Sequence, residues 1–159
     1  MSSRKVLLIR SRASPIFRQR ILTASFMSDP IAVVSSYFKL IQGLDNDASA
    51  FAAVLHPEVE QTEYPNLLSR NLVRRSYEEI LSTLRNGREV LVDSRFEMDR
   101  IHSCTDGSVV AEGQWRAQAI IDLGPVVRGQ LLVAQLCMVF EFKDGKIYRQ
   151  RSFHNFETV

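Results

Sequence analysis

Proton-transfer chemistry in this chain would rest on a few side chains. His154 stands near the end of a run from Lys146 to Phe156 in which polar and aromatic residues are mixed. An imidazole with an ordinary pKa of about 6.5 exchanges protons near neutrality, which suits a general acid or base on the wall of a pocket. A hydrogen-bonded histidine at a pocket mouth would look the same in sequence. Glu63 and Tyr64 are adjacent and would form an acid/base pair beside such a pocket. The alternatives are a rim or outward-facing carboxylate paired with an arginine for Glu63, and simple packing for Tyr64. His56 precedes a proline and reads as a structural turn residue, and His102 flanks a turn as a solvated group. Neither His-x-x-x-His nor Cys-x-x-Cys spacing occurs, so no metal site is expected. A Gly-rich phosphate loop and a nucleophile elbow are also missing, so no cofactor is expected.

Composition narrows the setting. With 159 residues the chain is most simply one domain, able to bury about two thirds of its unfolded surface without disulfides or metal. Its 45% hydrophobic and 24% charged content is that of an ordinary globular protein. Cys104 and Cys137 fit no disulfide framework and point to a reducing, cytoplasmic compartment. The net charge of +2 is unevenly distributed: residues 1–26 carry six basic side chains and no acid, leaving 14 basic against 18 acidic residues in the rest. A mildly acidic body argues against a nucleic-acid partner, which needs a basic face. No apolar run approaches the roughly 20 residues that span a bilayer, so no membrane partner is expected. Residues 1–26 read as an extension upstream of a natural start at Met27, as an organellar transit peptide, or as a basic arm. Each reading makes them poorly ordered.

Hydrophobic spacing supplies the elements that would position these groups. From Pro30 to about Gly43, Ile31, Val34, Phe38 and Ile41 recur at helical spacing. Asp45-Asn46-Asp47 would cap a short helix from Ala48 to Leu55, ending before His56-Pro57. A strand-like piece runs from Glu58 to Tyr64. A third helix, about Ser76 to Asn86, presents Tyr77, Ile80, Leu81 and Leu84 and is stopped by Gly87. The period then changes from 3.6 to 2, giving strands over Val90–Ile101, Val109–Ile121, Leu131–Phe142 and Lys146–Phe156. Asp144-Gly145 between the last two is a strong hairpin signal. The almost wholly apolar run from Leu131 to Phe142 should be buried on both faces or line a cavity. Helices followed by long antiparallel strands make an α+β pattern in which a curved sheet leaves an internal, mostly apolar cavity.

The order of elements, the Asp-x-x-x-Phe-x-x-x-Leu-His-Pro-x-Val passage from Asp47 to Val59, and the hairpin MVFEFKDGKIYRQRSF resemble the NTF2-like superfamily, in its SnoaL-like and ketosteroid-isomerase-like branch. The resemblance covers about residues 29–156. It implies a cone-shaped α+β barrel, with three N-terminal helices packed on a strongly curved, mainly antiparallel sheet, in a single domain from residue 27 to 159. It places Tyr37 at the isomerases' oxyanion tyrosine, Tyr64 or Glu63 at the base, and Met138 at the acidic oxyanion partner. Methionine donates no hydrogen bond, so a steroid-isomerase mechanism is not expected. The implied activity is that of a cofactor-free isomerase, cyclase or hydrolase on a hydrophobic organic molecule. Its alternative is a non-catalytic binding or dimerisation module.

The expected catalytic set is therefore Tyr37, Glu63, Tyr64 and His154. Strand parity turns Leu136, Met138 and Phe140 inward together with Tyr148, Gln150, Ser152 and His154, and sends Arg149, Arg151 and Phe153 outward. The expected ligand-binding wall is Phe51, Leu55, Trp115, Met138, Phe140, Gln150 and Ser152, although Trp115 in mid-strand also suits a core or dimer position. Relatives of this fold commonly pair through the outer sheet face, which here offers Val133, Cys137, Val139 and Phe153. An apolar surface of that size implies a homodimer.

Overall fold

A computed structural model describes residues 29–43 and 47–157. The readings of residues 1–26, and of Asp45 and Asn46 as caps, fall outside the described residues. Helix α1 (Pro30–Gly43) begins on a proline, and the Asp29 carboxylate accepts a hydrogen bond from the Ile31 amide at 3.1 Å. Its apolar stripe, Val33, Val34, Tyr37, Phe38 and Ile41, is buried. Helix α2 (Ala48–Val54) is capped by Asp47, which accepts from the Ser49 amide at 2.8 Å. Strand β1 (Leu55–Glu63) follows without a loop, so His56-Pro57 lies inside the strand. His56 is therefore not a turn residue. It is buried, its Nδ1 accepts from the Glu58 amide at 3.1 Å, and its Nε2 lies 3.4 Å from the Asp144 carboxylate.

A short strand, β2 (Val73–Arg75), had no signal in the sequence pattern. Helix α3 (Tyr77–Val90) starts on a capping box: the Glu79 carboxylate accepts from the Ser76 amide at 2.7 Å and from its hydroxyl at 2.9 Å. It runs through Gly87 and ends three residues later, at Val90. A helical glycine costs about 1 kcal/mol relative to alanine, which the packing of Ile80, Leu81 and Leu84 on the core outweighs. The remaining strands are β3 (Leu91–Ser103), β4 (Val109–Ala119), β5 (Leu131–Lys143) and β6 (Lys146–Phe156).

The six strands form one sheet in the order β2-β1-β6-β5-β4-β3. The β3–β6 meander is antiparallel as expected, but β1 joins it by parallel pairing with β6. The sheet is strongly curled and stays open, with β2 and β3 at its edges; it is not a closed barrel. No helix among the described residues is long and apolar enough to cross a membrane.

Three irregularities in the antiparallel meander shape the concave side. Between Val92 and Arg95 two residues, Asp93 and Ser94, oppose one on β4, and Asp93 takes the left-handed conformation with φ of 55°. A second bulge lies between Met98 and Arg100. In β6 Tyr148 is the extra residue, so Ile147 is buried and Tyr148 is not. That bulge overturns the inward parity expected of Tyr148, whose ring meets His56 edge-on at 5.4 Å. Beyond it the alternation has the expected sense: Gln150 and Ser152 are buried, while Arg149, Arg151 and Phe153 are exposed.

Gly113 lets β3 fold over β4. A Cβ there would strike the Glu97 carbonyl oxygen and come within 2.8 Å of Met98 Cα, both backbone atoms that cannot swing aside. Gly113→Ala is expected to lower the free energy of unfolding by about 1–3 kcal/mol. Chemical denaturation checks this; a loss within error would show that β3 can move away freely.

Candidate functional site

Where β3 lifts away at its first bulge, a cleft of about 230 Å3 opens between the concave face and α3. Ile41, Leu84, Leu91, Phe96, Trp115 and Phe156 make it apolar, and Gly87 leaves the helical wall low. Four polar side chains also line it: Glu63, Thr83, Ser94 and His154.

Trp115 and Phe156 form one wall, edge to face at 6.1 Å. The Trp115 indole N–H donates to the Ser94 hydroxyl at 3.0 Å, which leaves the ring face free for an apolar ligand. Ser94 reaches this position because it belongs to the bulge; simple alternation would not have selected it. Thr83 donates to the Glu79 carbonyl of its own helix at 2.8 Å.

Glu63 and His154 share the inner face of the β1–β6 pair, since Glu63 lies opposite Ser152 and His154 is two residues further on. Both Glu63 oxygens are engaged. Arg75 donates to one at 2.7 Å and Asn66 to the other at 2.7 Å. Asn66 also accepts from the Leu68 and Ser69 amides, at 2.9 and 3.1 Å, and so sets the turn that brings Leu68 to the cleft. The arginine alternative for Glu63 thus describes its contacts, and Arg75 is the partner. Arg75 further donates to the Gln61 side chain at 3.1 Å.

His154 is mostly buried, and its Nδ1 is both shielded from solvent and without a hydrogen-bond partner among the described residues. Burial holds its pKa below the ordinary value; the Glu63 carboxylate opposes that shift and Arg75 adds to it. The ring therefore faces the cleft as a neutral imidazole at neutral pH.

The other expected site residues lie elsewhere. Tyr37 is sealed in the core, edge-on to Phe38 and Phe140, and its hydroxyl hydrogen-bonds the side chains of Gln150 and Gln61. Burial is the main reason its phenol is pushed up to about 12; the Gln150 bond, Arg75 and the Gln61 bond oppose the shift. Tyr64 stacks on Phe153 at 4.4 Å on the outer face. Phe51, Leu55, Met138, Phe140, Gln150 and Ser152 are buried in the core and do not line the cleft. Trp115, Glu63 and His154 do line it. Leu84, Phe96 and Ser94 were missed; the first two carried only a generic apolar signal. Among the described residues no three His, Cys, Asp or Glu side chains stand together to hold a metal.

The sequence profile of the SnoaL-like domain matches residues 34–150. The chain belongs to the SnoaL-like domain family. Solved structures of similar fold include a proposed SnoaL-like polyketide cyclase from Jannaschia sp. CCS1, with 15% identity, 92% of each chain covered and a TM-score of 0.64. An NTF2-like protein from Burkholderia thailandensis E264 has 21% identity over 80% of this chain and 91% of its own, with a TM-score of 0.63. An LEH-like epoxide hydrolase from M. tuberculosis has 22% identity over 80% of this chain and 83% of its own, with a TM-score of 0.57. At these identities the likeness is one of fold. No curated protein sequence matches the chain. As in any SnoaL-like domain, the activity must be read from the site.

His154 gives that site a pH signature. The unfolded ring gains its proton as pH falls through about 6.5, whereas the folded ring does so only further down. Its contribution to stability is complete above that pH and is lost as the pH falls below it. The stability difference between wild type and His154→Phe should therefore move in favour of the variant from about pH 7.5 to 5.5, as read by urea titration. A constant difference would mean that the folded ring titrates normally.

Proposed function

We propose that this SnoaL-like domain binds a small, mainly apolar organic molecule in the cleft between α3 and the curled sheet, and acts on it without a cofactor, with His154 as the proton-transferring group. The observation that carries this reading is the largely buried imidazole of His154 on the wall of an apolar cleft, with the Glu63 carboxylate on the same face of the sheet. A neutral imidazole is competent to take a proton from carbon or oxygen, and the resulting imidazolium would be stabilised by the Glu63 carboxylate on the same face. Glu63 itself is a poor base, because Arg75 and Asn66 occupy its two oxygens; it serves by its charge. Tyr37 holds Gln150 and Gln61 from behind and takes no direct part.

Isomerisation, cyclisation and epoxide opening all need such a proton carrier, and similar structures include a proposed polyketide cyclase and an epoxide hydrolase. A non-catalytic binding module is the second reading, favoured by the commitment of Glu63 and the seclusion of Tyr37. Deuterium uptake beside the carbonyl of small cyclic ketones in heavy water separates the two. Wild type should exchange faster than buffer, and His154→Ala should lose about 100-fold or more of that rate. Tyr37→Phe should keep the rate within a few fold while costing about 1–3 kcal/mol of stability. Ligand binding with no exchange above buffer would leave the binding module standing. Gly87→Leu offers a control, since nothing lies within 4 Å of the added side chain's first atom and the rest would fill the cleft.

The outer sheet face supports a further part of the proposal, a homodimer. Phe153 is 41% exposed and Leu131 56%, and Val133, Cys137 and Val139 on the same face are half-buried. Light scattering should give twice the chain mass, and Phe153→Glu should halve it. A wild-type monomer at micromolar concentration would exclude the pairing.

A further inference from the structure

Resting on the reading of the cleft as a ligand site, the hydroxyl of Ser94 specifies a group that the ligand must carry. Ser94 stands two residues before Phe96 on β3, so the two side chains lie on one face of the strand, and both line the cleft. Ser94 is half-buried and keeps part of its surface open.

The hydroxyl oxygen is already engaged, because the Trp115 indole N–H donates to it at 3.0 Å. A hydroxyl that accepts still has one hydrogen to give, and among the described residues no acceptor takes it. The bond from Trp115 acts on that hydrogen in two ways. It holds the oxygen against the indole with the O–H directed elsewhere, and it polarises the O–H into a better donor. The neighbouring walls leave this donor little to meet. Leu84, Leu91, Phe96 and Phe156 are apolar, Arg75 and Asn66 occupy the Glu63 carboxylate, and the Thr83 hydroxyl is turned to the Glu79 carbonyl. A ligand oxygen that accepts from Ser94 completes the chain from indole to ligand; a ligand with no acceptor leaves the donor unmet.

Charge and size narrow the class. Glu63 is the one charged side chain lining the cleft, and Arg75 neutralises it at 2.7 Å. An anion entering beside that carboxylate would find no free cation on the lining to replace its hydration. The perpendicular rings of Trp115 and Phe156 offer a flat ring one face and one edge to pack on. A volume of about 230 Å3 lies below the roughly 300–1,000 Å3 usual for pockets that bury drug-sized ligands, so it suits one or two rings.

We propose that the ligand is an uncharged one- or two-ring compound with a carbonyl oxygen that accepts a hydrogen bond from Ser94, the hydroxyl being oriented from behind by Trp115.

Three probes of one ring system test this: 1-indanone, indane, which lacks the acceptor, and indane-1-carboxylate, which carries a charge. Affinities are read by titration calorimetry at neutral pH. Trp115 is the chain's single tryptophan, so its indole N–H gives one resonance in the spectrum of the isotope-labelled protein, and a probe that enters the cleft moves it. Indane is the more hydrophobic probe, and the deciding quantity is therefore the effect of each variant on each affinity. Ser94→Ala should weaken indanone about five- to tenfold and leave indane within about twofold. Ser94→Thr, which retains the hydroxyl, should keep most of the indanone affinity. The carboxylate should bind the wild type more weakly than either neutral probe. An unchanged indanone affinity in Ser94→Ala, an equal loss for indanone and indane, or a preference for the carboxylate overturns the proposal while leaving the cleft as a ligand site. If no probe binds, if binding leaves the Trp115 resonance unmoved, or if Gly87→Leu binds the probes as well as the wild type does, the cleft reading itself fails, and this inference with it.

Discussion

The bending of the sheet at its β3 edge is the constraint on which the site depends. A flat six-stranded sheet would meet three helices along one plane and leave no room between them. Here Gly113 removes the side chain that would hold β3 off β4, and the bulge at Asp93-Ser94 adds twist where the strand leaves α3. Phe96, on the outer strand of the sheet, donates its amide to the Gln42 side chain at 3.2 Å, so α1 holds the bent edge in place. The cleft is the space between a strand that turns away and a helix that runs straight.

Behind that space lies a polar layer inside an otherwise apolar core. The Tyr37 hydroxyl of α1 meets the side chains of Gln150 on β6 and Gln61 on β1, and Arg75 of β2 donates both to Gln61 and to Glu63. Inside a protein such groups interact strongly with one another and are costly when left unmatched. The network ties the three-residue strand β2 to the sheet, which its own short ladder of three residue pairs would do only weakly. It also sets the field at His154, because the two ends of the ion pair act on that ring in opposite directions. The same side chains thus give the edge its place and the cleft its electrostatics.

Much of the scaffold was legible from periodicity, and the hairpin of β5 and β6 most of all, because Asp144-Gly145 lies between two long strand-forming runs. Asp144 and Gly145 both have positive φ, 53° and 72°, as that kind of turn requires. The parallel seam between β1 and β6 was not legible, since nothing local marks a pairing between residues so far apart. Nor was β2, too short to show a period. For the site, alternation located His154 but also implied that Met138, Phe140 and Gln150 bound the same hollow. The rings of Tyr37, Phe38 and Phe140, about 6 Å apart, fill that volume, and the space lies further along the strands beside α3. Ser94 was hidden for a different reason: a bulge shifts parity by one residue, and single-sequence pattern does not register it.

The parallel seam has a consequence for how the chain reaches its native state. Leu55 pairs with Ile147, and Glu63 with Ser152, so β1 is synthesised roughly ninety residues ahead of its partner. Contacts of such sequence separation close slowly, because the loop entropy must be spent before any bond rewards it. Until the final hairpin emerges, β1 and β2 lack the strand that joins them to the rest of the sheet, and the helices cover an unfinished surface. The cleft is therefore complete only once the final strand is in place, and a chain cut short of that strand would lose the partner of β1 along with His154.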